Sequence, residues 1–263
     1  MSIGELFEIK NTNVLITGGA GYLGTAISET ITEMRANLII CSRNRDNCEK
    51  LVGILSSKYR SKIKAYHVDI GDSKSVECLY KKVKDECGVV DVLINNAYFG
   101  AGKEFLDMSE LEWNKGIEGS INGVYRMTKQ FLPDMIQKGK GNIINIASMY
   151  GIVSPDVSVY EGTNYYNPAN YGVGKAAIIQ FTRYIASVYG KKGIRCNCIS
   201  PGPFPNETVQ KDEGFIKNLE KKVPLGRIGK PDELKGIIAL LASEASSYIN
   251  GENIKVDGGW TAW

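Results

Sequence analysis

The sequence contains one histidine, His67, and that scarcity removes several chemistries at once. A HExxH zinc helix needs two histidines, and a Ser-His hydrolase would have to use His67, yet no GxSxG elbow accompanies it. His67 sits in the strand-like run IKAYHV, where a structural role is expected. The six cysteines, Cys41, Cys48, Cys78, Cys87, Cys196 and Cys198, form no CxxC pair and no zinc-like set. That pattern predicts a reduced, cytoplasmic protein without a metal site, with Cys196 and Cys198 as core thiols. No apolar run is long enough to span a bilayer, and MSIGELFEIKN lacks the basic-then-apolar order of a signal peptide, so no membrane partner is expected. Charge of one sign is also missing: 32 basic residues meet 29 acidic ones, a net +3 too small to indicate nucleic acid. A small-molecule partner is the expectation.

What is present is alternation. Short, β-branched, apolar runs occur at Asn13–Thr17, Asn37–Cys41, Ile63–Val68, Val92–Asn95, Asn142–Ala147, Arg195–Ile199 and Asn253–Val256. Between them lie longer stretches with helical spacing, such as Ser73–Glu86 and Leu111–Lys138. Continuous apolar strands separated by helices predict a doubly wound α/β fold of Rossmann type. Its sheet would be seven-stranded and mostly parallel, with helices on both faces, in a single domain over 1–263. The rhythm breaks at PGPFP, and residues 201–224 are read as a substrate lid.

The first strand runs into TGGAGYLG and then a helix-like stretch, the context in which glycines bring a backbone up to a pyrophosphate at a helix N-terminus. Gly18, Gly21, Tyr22, Leu23 and Gly24 are therefore cofactor candidates. At the end of the second strand, where an acid would read the free ribose of NAD, stand Ser42 and Arg43. A hydroxyl and a guanidinium suit a 2′-phosphate, so NADP(H) is preferred over NAD(H). Asp69 could meet the adenine amino group, or cap the helix entered through GDSKS.

Taken in order, TGGAGYLG, VDI, NNAY, Asn122, Ser148, YGVGK with Tyr171 and Lys175, the PG of Pro201 and Gly202, and the final VDGGW resemble the short-chain dehydrogenase/reductase superfamily. The likeness covers nearly the whole chain and is to the common short branch, although the glycine spacing looks like that of the extended branch. The family's NNAG ends here in Tyr98, which would narrow the pocket. The resemblance implies that Asn122, Ser148, Tyr171 and Lys175 are catalytic. Tyr171 would carry the hydroxyl proton, Ser148 would hold the substrate oxygen, and Asn122 would hold a water relaying protons to Lys175. It further implies that Asp69, Ile70, Asn95, Ala97, Pro201 and Gly202 line the cofactor together with Tyr171 and Lys175, Asn95 also buttressing its loop. A phenol titrates near 10, and bringing it to about 7 takes about 4 kcal/mol, which Lys175 one helical turn away is expected to help supply. YxxxK occurs three times, also at Tyr80/Lys84 and Tyr125/Lys129, but only Tyr171 opens a helix after a strand ending in a serine.

The stretch 149–170 between Ser148 and Tyr171 is rich in tyrosine, asparagine and acidic side chains, which suits a polyhydroxylated ligand. It resembles that of bacterial members acting on surface-glycan and flagellin-modifying sugars; a surface loop or subunit contact is the other reading. Tyr160, Glu161 and Asn164 are the candidate sugar contacts. The expected function is a hydride transfer between a nicotinamide cofactor and a secondary alcohol or ketone of a sugar. The alternatives are a nucleotide-sugar epimerase or dehydratase with bound NAD, and a non-catalytic dinucleotide sensor. A homotetramer or homodimer is implied, through Leu111–Lys138 and Tyr171–Tyr189 and through the GGWTAW terminus.

Overall fold

The computed structural model describes residues 1–100 and 102–263. In chain order the strands are β1 Asn13–Thr17, β2 Asn37–Ser42, β3 Ile63–His67, β4 Val92–Asn95, β5 Gly141–Ile146, β6 Ile194–Pro201 and β7 Asn253–Val256. The helices are α1 Ile3–Phe7, α2 Tyr22–Glu33, α3 Arg45–Lys58, α4 Ser73–Cys87, α5 Glu110–Ile117, α6 Gly123–Lys138, α7 Ala169–Tyr189, α8 Glu213–Lys222 and α9 Lys235–Ala242. All seven strands are parallel, in the order β3-β2-β1-β4-β5-β6-β7. The sheet expected from the sequence is thus present, and β7 completes it rather than leading into a second domain.

Alternation along each central strand sorts side chains to two faces. Val14, Ile16, Leu38 and Ile40 pack with Ile27, Ile31, Leu51 and Leu55 of α2 and α3 and with Ile238 and Leu241 of α9. Leu15, Ile39 and Ile143 pack on the other face with Val76, Leu79, Met127, Phe131 and Ile185 of α4, α6 and α7. Each such side chain stabilises the fold by roughly 1.5–3 kcal/mol through removal from water. Strand order reverses between β1 and β4, which opens a crevice at the carboxyl edge of the sheet.

Leu111–Lys138 is not one uninterrupted α-helix. Residues Glu118–Asn122 form a π-helical turn between α5 and α6. The wider turn frees the Gly119 carbonyl, which accepts the Phe99 amide at 3.3 Å and so draws the loop after β4 against the helix. His67, at the sheet edge, is exposed rather than packed. Trp260, expected at a subunit contact, is 7% exposed within its own chain, with its ring edge-on to Tyr150 at 6.4 Å; Trp263 is exposed.

Candidate active site

The β1–α2 turn is shaped by two close approaches. Gly18 adopts φ +64° and donates its amide to Cys41 at 2.7 Å, tying the turn to β2. A Cβ on Gly24 would lie 2.1 Å from the Gly18 carbonyl, so the first turn of α2 seats against the loop only without a side chain there. The amides at the start of α2 then face the crevice, a cradle that fits a pyrophosphate.

That crevice is a cavity of about 700 Å³, lined by the glycine turn and by Ser42, Arg43, Ile70, Ala97, Ser148, Tyr171, Lys175, Pro201 and Gly202. Most of the catalytic and cofactor candidates singled out in the sequence therefore meet in one place. Arg43 makes no ion pair or hydrogen bond among the described residues; its guanidinium lies over the Phe99 ring, 5.0 Å from the centroid. Ser42 is occupied locally, donating to the Asn44 carbonyl at 2.8 Å.

Three of the catalytic and cofactor candidates fall elsewhere. Asp69 accepts the Gly71 amide at 2.9 Å in a turn of its own and does not line the cavity, while Asp72 caps α4 through the amides of Lys74 and Ser75. Asn95 is buried inside the sheet, donating to Asn145 Oδ1 at 2.8 Å and Thr128 Oγ1 at 3.3 Å. The buttress expected of it belongs to Asn96, whose side-chain amide donates to the carbonyls of Thr17 and Gly18, both at 3.0 Å. Thr17 completes the cross-brace by accepting the amides of Asn96 and Ala97. The doubled asparagine in NNAY was the available signal, but strand alternation decides which of the two faces the turn. Asn122 also lies outside the cavity lining, its amide turned to Glu118 at 2.6 Å.

Burial separates the three YxxxK pairs. Lys84 donates to Tyr80 at 2.9 Å and Lys129 to Tyr125 at 3.0 Å, both on exposed helix faces. Lys175 is buried and instead donates to the Ile146 carbonyl at 2.8 Å, its amine 5.6 Å from the centre of the Tyr171 ring. Ser148 accepts the Tyr150 amide at 3.1 Å, which leaves its own hydrogen free to turn toward the Tyr171 phenol in the same cavity. The electrostatics reverse the expectation that Lys175 lowers the phenol. Burial pushes Tyr171 up, with Ser148 pulling it only partly back. Burial also takes the Lys175 amine down to about 8. The protein alone thus holds a protonated phenol beside a readily deprotonated amine, an arrangement that can deliver a proton to a substrate oxygen.

The 149–170 stretch does not bring Tyr160, Glu161 and Asn164 into the cavity. Glu161 and Asn164 are exposed, and the Tyr160 hydroxyl is paired with that of Tyr150 at 2.7 Å. The stretch packs instead on α8: Tyr165 stacks on Phe215 with centroids 4.5 Å apart, and Asp156 pairs with Lys222 at 2.7 Å. The segment after β6 reaches the glycine turn, where Gln210 donates to the Tyr22 hydroxyl at 3.0 Å.

A family profile described as Enoyl-(Acyl carrier protein) reductase matches residues 19–261. The chain belongs to the short-chain dehydrogenase/reductase superfamily. It is 32% identical over 255 residues to a 3-oxoacyl-[acyl-carrier-protein] reductase of Chlamydia muridarum, covering 95% of this chain and 98% of that one. A short-chain type dehydrogenase/reductase from Mycobacterium marinum superposes with a TM-score of 0.91 at 28% identity, over 100% of both chains. A gluconate 5-dehydrogenase from Burkholderia cenocepacia, solved with NADP and tartrate, superposes with a TM-score of 0.87 at 25% identity, again over 100% of both. The protein is accordingly an NAD(P)-dependent oxidoreductase of the superfamily. None of its helices, among the described residues, is long and apolar enough to cross a membrane.

Proposed function

We propose that this enzyme prefers NADP(H) and interconverts a secondary alcohol and a ketone in a small polar substrate, a sugar or sugar derivative of the kind used in surface glycans. The observation that carries the reading is the convergence of Ser148, Tyr171 and Lys175 on the cavity that also holds the glycine turn and the acid-free Arg43. The turn amides would hold the pyrophosphate and Arg43 the 2′-phosphate. A gluconate 5-dehydrogenase solved with NADP, among the similar structures, supports both the cofactor and the substrate class.

When bound, the nicotinamide supplies the hydride. The rest is done by the chain. Ser148 donates a hydrogen bond to the carbonyl oxygen and steadies it. Tyr171 gives its phenolic proton to that oxygen as the carbon accepts the hydride, and the new O–H bond completes the alcohol. Lys175 then stands as a positive charge beside the phenolate, favouring its formation and its reprotonation. In oxidation the proton travels the other way. The 201–224 segment closes over the substrate, and 149–170 supports that lid from behind.

Leu111, Tyr125, Val173, Tyr184 and Val188 are exposed on α5, α6 and α7, and we assign them to a contact between copies in a cytoplasmic homodimer or homotetramer. The deciding experiment is NADPH oxidation against a panel of ketoses and keto acids, with Tyr171→Phe alongside. Turnover that falls by about 10²–10⁴ in the variant, with NADPH still bound, is expected. NADPH binding with no turnover on any of the panel would sink the reading.

A further inference from the structure

Tyr98 lines the same cavity, and its surroundings give it more than a steric part. Its ring meets the Tyr171 ring edge-on, with centroids 5.1 Å apart and planes at 81°. The Lys175 amine lies 5.5 Å from the centre of the same ring, so Tyr98 touches the two groups that handle the proton. Its position is built into the backbone. A Cβ on Gly100 would come 2.1 Å from the Tyr98 hydroxyl and 2.8 Å from Cζ, so the ring lies in space that a side chain at position 100 would take. At 38% exposed it is partly open to the cavity, and its hydroxyl has no hydrogen-bond partner among the described residues. Burial lifts that phenol to about 12, which keeps its hydrogen in place at any physiological pH.

We infer that Tyr98 is the specificity-determining residue of this site, its hydroxyl binding a second hydroxyl close to the reacting carbon and its ring shutting out an unbranched acyl chain. The inference rests on the proposed oxidoreduction and narrows it to compact, polyhydroxylated ketones and their alcohols. Once a substrate covers it, that hydroxyl is costly to leave unpaired, so the site discriminates against a substrate that brings only methylene groups. The ring contributes independently, because it occupies space that a longer substituent would need.

The test compares two four-carbon ketones, erythrulose and 2-butanone, with acetoacetyl-coenzyme A as the extended acyl substrate, using the full chain and NADPH. Wild type is expected to favour erythrulose over 2-butanone in kcat/KM. Tyr98→Phe should cut that preference by about tenfold, through KM rather than kcat. Gly100→Ala should do the same while leaving the hydroxyl in the chain, because the added methyl displaces the ring; this variant and the conservative Phe keep the test alive if a smaller side chain at 98 prevents folding. Tyr98→Gly should raise kcat/KM for acetoacetyl-coenzyme A. A preference unchanged within twofold in both Tyr98→Phe and Gly100→Ala overturns the assignment while leaving the oxidoreductase reading intact. A wild-type protein that binds NADPH but reduces none of the three ketones removes the reading beneath it, and this one with it.

Discussion

Asn122 donates its side-chain amide to the Glu118 carboxylate at 2.6 Å, across the π-helical turn that joins α5 to α6. The same carboxylate pairs with Arg126, which donates to the Ile70 carbonyl and to Ser73 Oγ, both at 3.2 Å. A chain of contacts therefore runs from Asn122 to Ile70 in the wall of the cavity that holds Tyr171 and Lys175.

Glu118→Gln keeps an acceptor for Asn122 but loses the ion pair, whereas Glu118→Ala loses both. The pair is partly solvated, so each variant should lose about 1 kcal/mol, or roughly 2–4 °C in Tm. In kcat they should separate, with alanine several-fold below wild type and glutamine close to it. Equal kcat in all three proteins would mean that Glu118 only braces the helix.

Lys175 carries a stability cost with a defined pH window. Burial lowers its folded value from 10.5 to about 8, so below about pH 8 the fold bears the expense of a buried ammonium, about 3 kcal/mol from that interval. Between about 8 and 10.5 the unfolded chain holds the proton that the folded one has shed, and stability rises with pH. Lys175→Met should therefore be inactive yet melt higher than wild type at pH 7, even after losing the hydrogen bond to Ile146. The gap should shrink by pH 10. A variant that melts lower at both pH values would contradict this.

The same amine should appear in kinetics. Burial holds Tyr171 above its usual range, so the phenol stays protonated through neutral pH and limits nothing there. Loss of the Lys175 proton near 8 should then set the alkaline limb of ketone reduction. A pH–rate profile flat from 6 to 9 would remove Lys175 from the proton path.

Arg43 makes no ion pair among the described residues, so its charge is available to a 2′-phosphate. Arg43→Ala should weaken NADPH binding by about 10- to 100-fold, the worth of a charge-assisted hydrogen bond, and leave NADH nearly unchanged. Titration of nicotinamide fluorescence reads both. A wild type that prefers NADH, or a variant that keeps its NADPH preference, would overturn the cofactor assignment.

Gln210 and Tyr22 join the proposed lid, residues 201–224, to the glycine turn by one exposed hydrogen bond at 3.0 Å. Tyr22→Phe should release cofactor about two- to fivefold faster, since such a bond contributes about 0.5–1 kcal/mol. Stopped-flow displacement measures the rate, and no change would place lid closure on other contacts.

Much of this protein could be read along the chain because the signals are local. Apolar runs of strand length, broken by helical periods, dictate a parallel sheet, and glycines after the first strand dictate a turn that admits a phosphate. Ser148, Tyr171 and Lys175 were legible because a strand end and one helical turn are short, regular spacings that bring them to one edge.

Tertiary structure decided what depends on direction and surroundings. Asn95 and Asn96 are adjacent in sequence, yet strand pleating sends the first into the sheet and turns the second toward Gly18. Asp69 and Asp72 both follow β3, and only the trajectory of the chain into α4 shows which one caps the helix. The tyrosines of 149–170 look like ligand contacts in isolation, but Phe215 and Tyr150, distant or unrelated in the linear pattern, take up Tyr165 and Tyr160. The sign of the Tyr171 perturbation was set the same way. Spacing places a lysine one turn from the phenol, but desolvation depends on everything packed around both groups, and here it raises the phenol and lowers the amine.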